Sequence, residues 1–225
     1  MRGLEVSSGL RPLDTLFCEA LSRYPVARRD EKFGRASSFW PLIGELKDVL
    51  GAVPALVASK RAKVKVSFGQ GGWAEVPNFA LMDTRETERP SAGIYMVYLM
   101  RADASALVLS LNQGSADLIF EAKGRVNELL AARASRVRDA LKLEPLRDAG
   151  FSSDAIDLAS TGQYPRAYAA GSIVSKTYSA GAIPSSEALG ADLAVLHAAY
   201  QSVIPSSRLR LGDVGRTASA VSRPR

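Results

Sequence analysis

The segment Gly93-Ile-Tyr-Met-Val-Tyr-Leu-Met100 is apolar at odd and even positions alike. Side chains alternate sides along a strand, so a strand made of these residues has no face to give to water and belongs in the middle of a sheet. Its neighbours can be read on both sides. Val64, Val66 and Phe68 alternate with Lys63, Lys65 and Ser67, the pattern of a strand with one buried face, and lead into the turn Gly69-Gln70-Gly71-Gly72. Trp73 to Met82 reads as extended. Pro77 within it lacks an amide donor and points to an edge or a bulge. Leu107, Leu109 and Leu111 alternate into a fourth strand before Asn112-Gln113-Gly114.

Helical spacing surrounds this block. Leu13, Leu16, Phe17, Leu21 and Tyr24 share one helix face opened by Pro12, and Cys18 reads as a buried thiol on that helix. Tyr24 to Ser38 is polar and reads as a loop. Leu42, Ile43, Leu46, Val49 and Leu50 predict a helix ended by Gly51, with a short helix starting near Pro54. Beyond the sheet, Val126, Leu129, Leu130, Val137 and Leu141 predict a helix from about Lys123 to Leu143, with Arg125, Arg133 and Arg136 beside the stripe. A small helix is expected near 154–159 and a last one from about Ser186 to Val203. The fold class expected is α+β: a central, mostly antiparallel sheet over about residues 63–112, flanked by N-terminal and C-terminal helices. One domain is expected over 12–204, and 205–225 reads as a flexible arginine-rich tail or the start of a linker.

Composition narrows the chemistry. Of 225 residues, 47% are hydrophobic, enough for one core. No apolar run approaches the roughly 20 residues of a membrane helix and no signal pattern opens the chain, so a cytoplasmic protein without membrane association is expected. A single cysteine, Cys18, and a single histidine, His197, argue against a His/Cys metal centre and a Ser-His-Asp triad. No metal or other cofactor is expected. The net charge of +6 suggests a polyanionic partner, yet Arg208, Arg210, Arg216, Arg223 and Arg225 concentrate most of it after Pro205. The nearest approach to a metal-nuclease signature is Asp117 with Glu121-Ala122-Lys123, a common pattern whose spacing puts the carboxylates ahead of a helix. A phosphate-binding G-x-x-x-x-G-K-[ST] loop is missing from the sequence.

The strings KVKVSFGQGGWAEVP, GIYMVYL and LVLSLNQG, in that order with short spacers, resemble the core of the McrB-type N-terminal domain family. The entry helix and the later YPRAYAAGSIVSKTY extend the resemblance over about residues 12–204. The resemblance implies a non-catalytic module of modification-dependent restriction that binds double-stranded DNA carrying a modified, typically methylated, cytosine. It also implies that the base swings out into a pocket, and that a nuclease or GTPase effector acts in trans or on a longer chain. Carried over residue by residue, Gly69, Gln70, Gly71 and Gly72 become a DNA-contacting loop, and Tyr95 and Leu99 become pocket residues. Where the prototype has tryptophan after the proline, this chain has Asn78, so its base is expected to be read differently.

The physics of such a site is quantitative. Extruding a base costs a few kcal/mol, and stacking on an aromatic ring returns about 1–3 kcal/mol. Tyr95, Val97 and Leu99 would share one strand face, as a stacking platform or as plain core. Asn78 offers an amide that both donates and accepts. Burying one methyl is worth about 0.8 kcal/mol, roughly fourfold in affinity, so strong discrimination needs exclusion of the wrong base. Lys60, Arg61, Lys63 and Lys65 are candidate phosphate contacts. Trp40 and Trp73 are expected in the core. The alternatives are a protein-interaction module that has lost modified-base binding and a metal-dependent nuclease.

Overall fold

The computed structural model describes residues 9–115, 118 and 124–220, with side chains described as far as residue 204. The Asp117 and Glu121-Ala122-Lys123 pattern lies outside the described residues. Strands β1 (Ala62–Gly69), β2 (Trp73–Asp83), β3 (Ile94–Met100), β4 (Ala106–Gln113) and β5 (Val174–Ser179) form one antiparallel sheet in that order. Helices α1 (Leu13–Asp30), α2 (Trp40–Gly51) and α3 (Pro54–Ser59) precede it. Helices α4 (Val126–Arg138), α5 (Glu144–Asp148) and α6 (Gln163–Gly171) lie between β4 and β5, and α7 (Ser186–Ala220) follows. The α+β class and the central position of β3 stand as expected.

Every residue of β3 and β4 is buried. One sheet face, with Ile94, Met96, Tyr98, Met100 and Leu109, packs on Leu16 and Phe17 of α1, Leu42 and Leu46 of α2, and Leu193, Leu196 and Tyr200 of α7. Each such side chain contributes about 1.5–3 kcal/mol by leaving water. On the other face Tyr95, Val97 and Leu99 meet Val76, Ala80, Met82 and Val108, covered by Ile156 and Leu158. This second cluster is much smaller than the first, and a pocket opens beside it.

Several expectations change. The sheet extends beyond residue 112 through β5, whose Val174 and Tyr178 are buried while Lys176 reaches Asp192 at 2.8 Å; the polar Ser, Lys and Thr of this strand masked its alternation. Helix α1 runs past Pro25 to Asp30 because Ala27 is still buried and Arg28 and Arg29 complement the negative end of the helix. Cys18 is exposed, one position beyond the stripe formed by Leu13, Leu16, Phe17, Ala20 and Leu21. Residues 154–159 form no helix; Ile156 and Leu158 instead alternate inward from an irregular segment. The helix expected to Leu143 ends at Arg138, which donates hydrogen bonds to the carbonyls of Ser172 and Ile173 at 3.3 and 3.1 Å. Arg133 is buried, so it is no surface cation. The last helix continues through Pro205 to Ala220, carried by residues such as Leu, Arg and Ala that favour helix. Among the described residues, no helix is long and apolar enough to cross a membrane.

Tyr200 fastens α7 to the sheet. Its hydroxyl donates to the Ile94 carbonyl at 2.8 Å and accepts from the Asp83 amide at 3.1 Å, joining the end of β2 to the start of β3. Tyr200→Phe leaves both backbone groups buried and unpaired, and is expected to cost about 1–3 kcal/mol in denaturant unfolding. Nearby, the Arg85 guanidinium binds both oxygens of Asp83 at 2.9 and 2.7 Å and holds its carboxyl down at about 2. The carboxyl titrates lower in the folded state than in the unfolded chain, near pH 4, so its stabilisation is complete above about pH 4 and is lost as pH falls toward 2. In urea titrations across that window, Asp83→Asn is expected to flatten the pH dependence and to lower stability at neutral pH.

Candidate nucleic-acid interface

The β1–β2 turn is built on an aromatic anchor. Trp73 packs on Phe33, Tyr24 and Phe39 with ring centroids 5.1, 5.7 and 5.9 Å away, and its indole donates to the Glu31 carbonyl at 2.7 Å. The Tyr24 hydroxyl donates to the Ala74 carbonyl. Both tryptophans thus serve packing, Trp40 through Phe33 at 5.5 Å. From this base the chain projects Gln70 into solvent. Gly69 has φ 143°, and a Cβ there would lie 1.8 Å from the Gly72 carbonyl oxygen, so the turn closes this tightly only on glycine.

The strand register carries that turn to the pocket. Ser67 pairs with Asn78, yet Gly69 pairs with Trp73, so Ala74 to Pro77 face Phe68 alone in a bulge. Pro77 sits in this bulge as expected, and β2 joins β3 only from Asn78, which pairs with Leu99. Directly paired residues point to the same side, which places Ser67, Asn78 and Leu99 on the second sheet face.

A pocket of about 410 Å³ opens on this face. Its wall takes Lys65 and Ser67 from β1, Gln70 from the turn, Asn78 from β2, Tyr95 from β3, Gln113 from β4, and Tyr164 and Tyr168 from α6. That volume lies within the roughly 300–1,000 Å³ of small-molecule clefts. A smaller hollow of about 250 Å³ beside it shares Ser67, Gln70, Asn78, Tyr164 and Tyr168 and adds Glu75, whose carboxylate packs on Gly162 at the start of α6. Gly114 lets the loop before β3 press on the end of β4: a Cβ there would meet the Ala92 nitrogen at 2.2 Å, and this contact brings Ser91 and Ser115 to one rim.

The wall carries unspent hydrogen-bonding capacity. Tyr95 is 1% exposed, burial pushes its hydroxyl well above the usual phenol range, and that hydroxyl has no hydrogen bond to any described residue. It is therefore a neutral donor and acceptor at physiological pH. Burial likewise holds Tyr168 up at about 12. The Asn78 amide has no side-chain hydrogen bond to a described residue. Gln113 donates through Nε2 to the carbonyls of Leu130 and Gly171 at 3.0 and 3.4 Å, while its Oε1 is buried without a partner among the described residues. An unmet buried acceptor costs about 1–3 kcal/mol.

Of the residues singled out in the sequence, Gln70, Asn78, Tyr95 and Lys65 come together at this pocket. Leu99 does not line it; it is fully buried beneath, in the second-face core with Val97. The four cations separate. Lys63 is held by Glu88 at 3.1 Å, Lys60 is exposed at the end of α3 with φ 53°, and Arg61 lines a different hollow with Arg85 and His197. Sequence reading missed Gln113, Tyr164 and Tyr168. The tyrosines stand four apart in YPRAY, a spacing that puts both on one face of a helix, but no helix was expected there. Tyr164 is 67% exposed and borders three adjacent hollows.

Fold and site together define an α+β domain that closes one sheet face completely and leaves a polar, tyrosine-walled pocket on the other. A family model described as "MrcB-like, N-terminal domain" matches residues 19–204, and the chain belongs to that family. No curated protein and no solved structure matches it. Gly69→Ala is expected to cost about 1–3 kcal/mol through backbone strain. Thermal melting and proteolysis within residues 69–72 would report it, and an unchanged melt with an intact turn would show that the turn tolerates a side chain.

Proposed function

We propose that this domain is a non-catalytic reader of double-stranded DNA that receives an extruded, modified cytosine in the pocket between β1–β4 and α6. The observation that carries the reading is the convergence of Gln70, Asn78, Tyr95 and Lys65 on one cavity whose polar wall is short of partners. Family membership supports DNA association. Gln70, on a turn that glycine lets approach DNA closely, fills the space the base leaves. Tyr95 and Tyr168 supply ring surface, Asn78 addresses the base edge, and Lys65 meets phosphate. Leu99 contributes from below by fixing the strand that carries Tyr95. A nuclease or GTPase effector, on another chain or a longer one, acts on what this domain finds.

The test is fluorescence anisotropy at one fixed salt concentration, because phosphate contacts alone move affinity by orders of magnitude. Matched duplexes carry cytosine, 5-methylcytosine, 5-hydroxymethylcytosine or N6-methyladenine. One modified-cytosine duplex is expected to bind at least tenfold tighter than plain DNA, with no cleavage in magnesium. Tyr95→Phe is expected to weaken that duplex roughly two- to tenfold, the worth of one hydrogen bond, and to leave plain DNA unchanged. Equal affinity for all four, or none, sinks base reading and favours a protein-interaction module.

A further inference from the structure

The pocket that receives the base holds about 410 Å³, in the range of drug-sized ligands and more than a flat pyrimidine ring fills. The hollow of about 250 Å³ continues it, since Ser67, Asn78, Tyr164 and Tyr168 line both. The two differ in charge: Lys65 stands in the wall of the first, whereas Glu75 stands in the wall of the second. Glu75 is half-buried, and its carboxylate lies against Gly162, where a Cβ would come within 2.6 Å of Oε2, so glycine makes room for it there. Among the described residues that carboxylate has no ion pair and no hydrogen bond.

A carboxylate accepts hydrogen bonds, donates none and repels phosphate, so the second hollow is unsuited to the DNA backbone and suited to a neutral group rich in hydroxyls. Asn78 beside it both donates and accepts. Tyr164, 67% exposed, presents ring surface at its border. A pyranose matches these fittings: the hydroxyls around its edge meet the carboxylate and the amide, and its C–H faces lie against the ring. Resting on the base reading proposed above, we infer that this hollow is a saccharide subsite, and that the pocket takes a cytosine whose 5-hydroxymethyl group carries a hexose. The ring nitrogen joined to deoxyribose stays at the mouth, so the opposite edge, with positions 4 and 5, points inward. A group on position 5 passes Asn78, which both hollows share, and enters the second. A methyl group leaves that hollow to water; a hexose fills it and brings hydroxyl donors to Glu75.

Duplexes identical except at the target carry cytosine, 5-methylcytosine, 5-hydroxymethylcytosine or β-glucosyl-5-hydroxymethylcytosine, and anisotropy is read at one fixed salt concentration. The glucosylated duplex is expected to bind roughly tenfold or more tighter than the 5-hydroxymethyl duplex, the scale of one hydrogen bond to a charged acceptor. A smaller gain, or a loss, overturns the saccharide subsite. Glu75→Ala, with its fold checked by thermal melting, is expected to cut that preference to under threefold; a folded variant that keeps more overturns Glu75 as the residue that holds the sugar. The wild-type comparison decides the subsite even if the variant fails to fold. Should 5-methyl- or 5-hydroxymethylcytosine outbind plain DNA while the hexose gains nothing, the subsite falls and base reading stands. If all four duplexes bind alike and 2-aminopurine placed beside the target stays quenched, base reading itself falls, and the subsite with it.

Discussion

Every side chain of β3 and β4 is buried, and the rest of the domain is arranged to satisfy that fact. A sheet whose two central strands are apolar on both sides must be roofed twice. The helices before and after the sheet make the first roof, where Phe17, Leu46 and Leu193 meet Tyr98 and Leu109. The second roof is an irregular segment contributing Ile156 and Leu158, followed by α6. Because this roof is short, it covers Val97 and Leu99 and ends alongside Tyr95, where the pocket opens.

The polar groups around that pocket follow from the same division. Where the second face is covered, the strands carry Ala80, Val97 and Val108; toward its open margin they carry Ser67 and Asn78. Gln113 Oε1 lies out of water and has no partner among the described residues. A buried acceptor left unpaired in this way costs the domain stability.

Much of the fold could be read from the sequence because its signals are local. Alternation in Lys63–Phe68, the two-sided apolar run of β3 and the stripe from Leu13 to Tyr24 each announce their element without help from distant residues. Strand β5 and helix α6 were illegible for the opposite reason. Val-Ser-Lys-Thr-Tyr-Ser is mostly polar, and its lysine is neutralised by Asp192 on α7, a tertiary fact. The Tyr164-Pro165 start of α6 reads like a loop until Ala167 finds Leu118 and Leu130. The site divides in the same way. Gln70, Asn78 and Tyr95 were reachable through their neighbours in the chain and the family resemblance, whereas Gln113 became visible only once both carbonyl partners of its Nε2 were in place.

The offset in the β1–β2 ladder has a mechanical side. Four residues of β2 stand opposite Phe68, so the turn and the paired strands are not geared one to one. In a regular hairpin, adding a residue to the turn would slide β2 by one position and throw Asn78 to the opposite side of the sheet. Here the slack taken up between Trp73 and Pro77, with Trp73 pinned by its aromatic neighbours, acts as a clutch: the tip at Gln70 can change length or reach while the strand that presents Asn78 to the cavity keeps its phase. The reach of the turn and the placement of Asn78 are therefore separately adjustable parts of one hairpin.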